Sequence, residues 1–141
     1  MARVSIQDRI FPDGECFGCG SKNDRGLQLK SLPRSDGAII AHWRPGVEHT
    51  NGAGTVCGGV LATILDCHGA ATGLHAMRSG TMLTKQFTIE FLRPTPMGEL
   101  ELVGRVVQCR TRSVEVEVVA SAEGTAGARL SGIFVVPKSA V

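Results

Sequence analysis

The run of residues 56–76, VCGGVLATILDCHGAATGLHA, constrains the fold of this chain more than any other segment. Its apolar residues recur at three- and four-residue steps, which is the spacing of an α-helix. They cover most of the helix circumference, so the helix must be covered by protein on more than one side. Because the run also contains an acid, Asp66, and two histidines, it indicates a buried helix rather than a membrane span. We therefore predict one long helix over about residues 58–77.

β-rich segments flank this helix on both sides. Before it, two short alternating segments surround the turn sequence PRSDG and predict a hairpin of two strands. Their alternating positions are Leu27, Leu29 and Leu32, then Ala38, Ile40 and His42. After it come four β-rich runs joined by polar turns, MLTKQFTIEFL, ELELVGRVVQCR, SVEVEVVASAE and GARLSGIFVVP. The economical packing of one helix and six strands is an α+β architecture in which a single antiparallel sheet curls around the helix.

Length and charge limit the class of protein. A chain of 141 residues can bury a core without disulfides or metal, so we expect a single domain over residues 1–141. Within it, residues 1–26 form an N-terminal arm, or short docking helix, and a Cys/Gly-rich turn segment. The 15 basic and 13 acidic residues are nearly balanced and the basic ones do not cluster, so no nucleic-acid partner is expected. No secretory signal and no membrane partner are indicated, which makes the cytoplasm the default location.

The start of the predicted helix and the acid within it are the chemically notable positions. Gly58 and Gly59 stand where the helix begins, so their N–H groups lack helical acceptors and lie at the positive end of its dipole. Such donors stabilise a negatively charged oxygen, and the missing side chains allow close approach. Asp66 lies about two turns further on. A carboxylate among apolar residues costs free energy unless it is paired or used in chemistry, so the alternatives are catalysis and a structural hydrogen bond.

The element order and this motif resemble the hotdog-fold acyl-CoA thioesterases, in particular the phenylacetate-degradation type. The resemblance covers about residues 16–137. The family pattern is an Asn, a Gly, a His-Gly-Gly, an Asp nine residues past the His, and a Ser or Thr on the following strand. The matching positions in this chain are Asn51, Gly54, Cys57-Gly58-Gly59, Asp66 and Thr84, so the histidine alone is replaced. The lead-in CFGCGSKNDRGLQL is similar to that of a subset of these proteins.

The resemblance implies hydrolysis of an acyl-CoA or related thioester to an acid and a thiol, without a cofactor. It assigns the oxyanion donor to the Gly58 N–H, and the general base or the nucleophile to Asp66. Thr84 would position the water, and Asn51 would hold the site loop or the substrate carbonyl. Family sites lie between subunits, so a homo-oligomer is implied, either a dimer or a dimer of dimers. Without the resemblance, Thr84 is equally a strand residue and Asn51 a turn residue.

Further substrate-binding candidates surround this motif. His49 precedes it in the loop and could touch the substrate or be a loop residue. Gly59 and Cys57 adjoin the oxyanion position. Lys85 and Arg93, with Arg112, are candidates for the CoA phosphates and are equally compatible with solvated surface charges. The two helix histidines, His68 and His75, are expected in the core rather than as ligands.

Cys57 is where the chain departs from the family pattern, because a thiol is a weaker and shorter donor than an imidazole. Three interpretations remain open: a tolerated substitution, since the main donor is the Gly58 backbone; a lineage with a shifted substrate or weakened hydrolysis; and a nucleophilic cysteine, for which no base is evident. The second interpretation leads to an alternative function, a non-catalytic module that binds an acyl thioester or serves assembly.

The spacing of the other cysteines suggests no metal site. Cys16 and Cys19 form a CxxC, but zinc needs a second pair of ligands, and neither a second CxxC nor an HxxxH occurs. Cys67 stands next to His68 in the helix, which would have to meet the N-terminal loop to contribute. We therefore expect a tight glycine-rich turn with reduced thiols, and no metal site.

Overall fold

The computed structural model describes residues 3–138. Within that range the predicted order of two strands, one long helix and four strands is confirmed, and a short helix precedes it. The elements are α1 (Ile6–Ile10), β1 (Leu32–Pro33), β2 (Ile39–Trp43), α2 (Gly58–Met77), β3 (Leu83–Phe91), β4 (Leu100–Cys109), β5 (Ser113–Ala122) and β6 (Thr125–Val135). A single turn of 3-10 helix at Val47–His49 lies in the loop before α2.

All six strands form one antiparallel sheet in the order β1-β2-β4-β5-β6-β3. Helix α2 packs across one face of this sheet and contacts β2 to β6. Strand β3 pairs only with β6 among the described residues, so its other side is an open sheet edge. This is the predicted α+β architecture, and the edge position of β3 bears directly on the site described below.

The core lies between α2 and the sheet. On β5 the residues Val114, Val116 and Val118 are fully buried, as their alternation with glutamates predicts. Two glycines let α2 approach the sheet closely. A Cβ at Gly69 would lie 2.7 Å from the Phe134 ring, and one at Gly73 would lie 2.8 Å from a Val114 methyl carbon. Gly69 and Gly73 therefore serve packing, which a sequence pattern alone does not distinguish from a flexible segment.

The prediction of the first strand is largely wrong. Leu27 and Leu29 are buried, but β1 comprises only Leu32–Pro33. The reason is Gln28, whose φ of 57° is left-handed and interrupts an extended chain. Strand β2 also turns the opposite face from the predicted one towards the core. Its odd-numbered residues Ile39, Ala41 and Trp43 are buried, whereas His42 is exposed.

The N-terminal segment docks onto the long helix. Ser5 caps α1 by accepting a hydrogen bond of 3.0 Å from the Asp8 N–H. Ile6 packs with Ala71 and Leu74 of α2, which makes this the short docking helix rather than a frayed arm. In residues 3–138, no helix has both the length and the apolar composition that a membrane crossing requires.

Candidate active site

Asp66 and Thr84 meet on the side of α2 that faces β3. The Thr84 hydroxyl donates a hydrogen bond of 2.7 Å to the Asp66 Oδ1. Burial raises the pKa of Asp66 above its ordinary value, and the hydrogen bond from Thr84 offsets part of that increase. Asp66 is only half-buried in the single chain. A half-buried, singly hydrogen-bonded carboxylate of raised pKa can act as a base towards a water molecule.

A β-bulge in β3 is what turns Thr84 towards Asp66. Ile89 packs into the core, and the Phe91 ring lies against α2, so odd-numbered residues at this end of the strand face the helix. A regular strand would place an even-numbered residue on the other face. The register with β6 shifts between Thr84 and Gln86, which makes Lys85 the extra residue and reverses the alternation. Thr84 therefore faces the helix.

The start of α2 presents unused backbone donors. In the part of the chain that the structure describes, the N–H groups of Gly58 and Gly59 have no hydrogen-bond acceptor, whereas the next N–H, that of Val60, bonds to the Cys57 carbonyl at 3.0 Å. Cys57 is the N-cap residue, and its thiol caps no backbone N–H. Gly58 faces the Phe91 ring, which would lie 3.6 Å from a Cβ at that position. These free donors at a helix N-terminus form a site for a negatively charged oxygen.

Asn51 organises the loop that leads to these donors. Its Oδ1 accepts hydrogen bonds from the N–H groups of Ala53 at 2.8 Å and Thr55 at 3.0 Å. Its Nδ2 donates to the Thr55 Oγ1 at 2.7 Å. The loop is anchored further by the Cys57 N–H, which donates to the His49 carbonyl at 2.8 Å. With these bonds the Asn51 side chain is engaged in shaping the loop.

The remaining candidates lie around this loop and strand. The His49 Nδ1 accepts from the Gly46 N–H at 2.8 Å, and its ring packs against Trp43 with centroids 5.2 Å apart. Lys85 is exposed at the β3 bulge. Arg93 is exposed just after β3 and donates to the Ala126 carbonyl. His68 is a fully buried core histidine, as predicted.

The structure separates the predicted oxyanion donor from the acid. Gly58 and Asp66 are eight residues apart on one helix, which corresponds to a rise of about 12 Å. Within one chain, the structure therefore brings Asp66 to Thr84 and Gly58 to Phe91, but it does not bring the two pairs together. The contact between Phe91 and Gly58 was not predicted from the sequence. The position of Phe91 at the end of β3 could have indicated it, because β3 runs antiparallel to α2 and ends near the start of that helix.

Most of β3 is exposed in the single chain. Three large apolar side chains on this edge strand have exposed fractions of 52% (Leu83), 36% (Phe87) and 55% (Phe91). The unpaired backbone groups of an edge strand are a template for another strand, and natural proteins rarely leave a long apolar edge uncovered. The candidate site therefore lies beside a surface suited to pairing with a second chain.

The comparisons with known proteins agree with this architecture. The model of the thioesterase superfamily matches residues 53–128. A thioesterase superfamily protein from Shewanella loihica is 40% identical, with a TM-score of 0.69 over 77% of this chain and 91% of that chain. No match was found among curated proteins.

Two more distant solved structures share the fold. The phenylacetic acid degradation protein PaaI from Thermus thermophilus, in a mutant form, is 23% identical with a TM-score of 0.68 over 77% of this chain and 93% of that chain. A Bacillus halodurans protein solved with CoA is 24% identical with a TM-score of 0.76 over 96% of this chain and 91% of that chain. The sheet and helix described above are accordingly the hotdog fold, and the chain belongs to the thioesterase superfamily.

Proposed function

We propose that this protein hydrolyses acyl-CoA or related thioesters to a free acid and a thiol. The observation that carries the proposal is the hydrogen bond of 2.7 Å from Thr84 to the half-buried carboxylate of Asp66. Superfamily membership supports a thioester as substrate, and the free N–H groups at the start of α2 supply what the oxyanion of acyl transfer requires. Asp66 supplies the base, and Thr84 holds its carboxylate and the attacking water.

The working site is composed of two chains in this proposal. A carbonyl under attack must lie about 3 Å from both its oxyanion donor and its nucleophile. The rise of about 12 Å between Gly58 and Asp66 prevents one chain from providing both groups for one carbonyl. Pairing of the exposed β3 edge with β3 of a second copy covers its apolar side chains and can bring Asp66 of one copy to Gly58 of the other. The homodimer is therefore the smallest active form.

The reaction then proceeds in two steps. Asp66 takes a proton from water while the water oxygen bonds to the thioester carbon, and the carbonyl oxygen becomes an oxyanion held by the Gly58 N–H. The C–S bond breaks as the carbonyl re-forms, and the protonated Asp66 returns its proton to the leaving thiolate. The alternative is direct attack by the Asp66 carboxylate, which forms an acyl anhydride that water then opens. Single turnover in ¹⁸O-labelled water distinguishes them, because an anhydride can leave the label in the Asp66 carboxylate.

Coenzyme A is the proposed thiol portion of the substrate. A fold neighbour from Bacillus halodurans was solved with CoA, which supports this choice. Exposed cations at the bulge and the end of β3, Lys85 and Arg93, together with Arg112, are available for its phosphates. If these side chains bind the phosphates, replacing each of them by methionine should raise KM and leave kcat unchanged.

The alternative function is a non-catalytic acyl-thioester-binding module. The Cys57 thiol makes no capping hydrogen bond in the place where the family pattern has histidine, and this observation favours weakened hydrolysis. The deciding experiment follows thiol release from short, long and aromatic acyl-CoAs. Hydrolysis of at least one class supports the enzyme, whereas tight binding without release from any class identifies the binding module. A Cys57→His variant then reports whether the thiol limits the rate.

A further inference from the structure

Three thiols meet where the N-terminal turn segment contacts α2. The Sγ atoms of Cys16, Cys19 and Cys67 all lie within 4.8 Å of one another. The Cys16 and Cys67 sulfurs are 3.7 Å apart and are not bonded as a disulfide. The spacing of cysteines along the sequence does not show this arrangement, because Cys67 comes from the helix about 50 residues beyond the CxxC.

The fold holds this cluster tightly. Gly18 lies directly over the helix, and a Cβ there would be 2.2 Å from the Cys67 sulfur, so no larger residue fits without moving the loop. The turn between the two loop cysteines is closed by the Gly20 N–H, which donates to the Cys16 carbonyl at 2.8 Å. Lys30 fixes its end by donating to the Cys19 carbonyl at 2.7 Å, and it also pairs with Asp8 at 2.9 Å. The loop that carries Cys16 and Cys19 is therefore held in place by these hydrogen bonds, with its two sulfurs next to the sulfur of Cys67.

The sulfur positions suit a tetrahedral metal ion. With Zn–S bonds of about 2.3 Å, the edge between two sulfurs of a tetrahedron is about 3.8 Å. The Cys16–Cys67 separation of 3.7 Å matches that edge, and the remaining pairs require only a small contraction from at most 4.8 Å. A cavity of about 220 Å³ borders the cluster and is lined by Glu15 as well as by Cys16 and Cys19. It leaves room for a fourth ligand, which can be water or a carboxylate.

We propose that Cys16, Cys19 and Cys67 form a zinc site that fastens the N-terminal segment to helix α2. Soft thiolates favour Zn²⁺ over the oxygen-binding cations. Each thiol gives up its proton on binding, so the ion exchanges for three protons, and its fourth position opens towards the cavity. Cys67 directly follows Asp66, so the metal would fix the helix next to the proposed base without touching the substrate. This reverses the expectation of no metal that follows from sequence spacing alone.

The test titrates the full-length protein, stripped of metal with a chelator under reductant, with Co²⁺ and then with Zn²⁺. We expect one Co²⁺ per chain, with intense thiolate-to-cobalt charge-transfer and tetrahedral d–d absorption that Zn²⁺ abolishes. Zn²⁺ should also raise the Tm. Cys16→Ser, in the exposed loop, should weaken Zn²⁺ binding by at least about tenfold, while Cys109→Ser, at the exposed end of β4, should bind like the wild type.

Three outcomes would overturn the proposal. They are the absence of a thiolate–cobalt band in the reduced wild type, Zn²⁺ affinity unchanged in Cys16→Ser, and a disulfide among these three cysteines that forms in air while the reduced protein takes no metal. The last would identify a redox pair instead. Cys67→Ser is compared as well, with circular dichroism to confirm folding, but the result on Cys16→Ser is decisive even if Cys67→Ser does not fold.

Discussion

The Thr84 hydroxyl lies 2.7 Å from the Asp66 carboxylate and joins the sheet edge to the middle of the long helix. The contact exists because a bulge at Lys85, directly after Thr84 in β3, reverses the strand alternation. It places the one acid of α2 beside the open edge of β3, where a second chain can pair. The consequences for activity, stability and assembly can each be measured.

Replacing the acid should abolish most of the chemistry. We expect Asp66→Asn to lower kcat for thiol release by about 10²–10⁴-fold, because the amide cannot take a proton from water. Asp24→Asn, an exposed acid in the N-terminal turns, is the matched control and should retain full activity. Wild-type rates in Asp66→Asn would remove Asp66 from the mechanism.

The same variant should be more stable than the wild type at neutral pH. Burial raises the pKa of Asp66 in the folded chain, so the folded state holds this proton more tightly than the unfolded state does. The contribution of Asp66 to the free energy of unfolding is fully present below its ordinary pKa of 3.8. It is lost as pH rises through the pKa of Asp66 in the folded state. An asparagine avoids this loss. Urea unfolding of Asp66→Asn and Asp24→Asn at pH 7 and fixed protein concentration measures the difference.

Removing the Thr84 hydroxyl should move the acidic limb of the pH–rate profile upwards. The base works only when ionised, so kcat/KM falls as pH decreases through the pKa of Asp66. The hydrogen bond from Thr84 lowers that pKa, and Thr84→Val should therefore shift the midpoint to higher pH as well as reduce the rate. Thr88→Val, on the same strand, is the control. An unshifted midpoint in Thr84→Val would show that Thr84 does not act on the base.

The backbone donor of Gly58 can be removed selectively. Proline is tolerated at the first position of a helix, and Cys57 before it already has the extended φ and ψ of −59° and 132° that precede proline. Gly58→Pro should lower kcat by about 10²–10³-fold because the N–H is lost. Gly58→Ala keeps the N–H, and its Cβ meets Phe91 at an ordinary 3.6 Å. Equal losses in the two variants would indicate a steric effect rather than a lost donor.

His68 should make the protein sensitive to acid. The His68 Nε2 donates to the Ile39 carbonyl at 2.7 Å, the His68 Nδ1 lies 2.8 Å from the Ser31 hydroxyl, and that hydroxyl accepts from the Gln7 amide at 2.8 Å. Burial lowers the pKa of His68 from 6.5 to about 4, so the ring is neutral at pH 7 and its Nδ1 accepts from the Ser31 hydroxyl. Between pH 6.5 and about pH 4, the unfolded state therefore binds a proton at His68 that the folded state does not bind.

The free energy of unfolding should consequently fall by about 3 kcal/mol from this group as pH decreases from 7 to 4. Urea unfolding at several pH values, at one protein concentration, gives the slope. His42→Gln, an exposed histidine, should keep the wild-type slope, and His68→Gln should flatten it at a lower overall stability. The same slope in both variants would assign the acid sensitivity to other groups.

The sequence predicts α2 well because its apolar spacing is long and its glycine start is distinct, and the four following strands are predicted by alternation. Local backbone geometry was not predictable in the same way. Gln28 adopts a left-handed conformation that ends the expected first strand, and nothing in its residue type requires it. The bulge at Lys85 likewise depends on pairing with β6. The Cys67 contact with the CxxC depends on how the N-terminal segment docks, which spacing along the chain does not encode.

Mixing two inactive variants tests the composite site most directly. Asp66→Asn keeps Gly58, and Gly58→Pro keeps Asp66, so a dimer with one chain of each contains one intact site if the two groups come from different chains. After unfolding and refolding an equal mixture, thiol release should recover to about a quarter of the wild-type rate, since half the dimers are mixed and each has one of two sites intact. Activity no higher than that of the separately refolded variants would contradict the two-chain site.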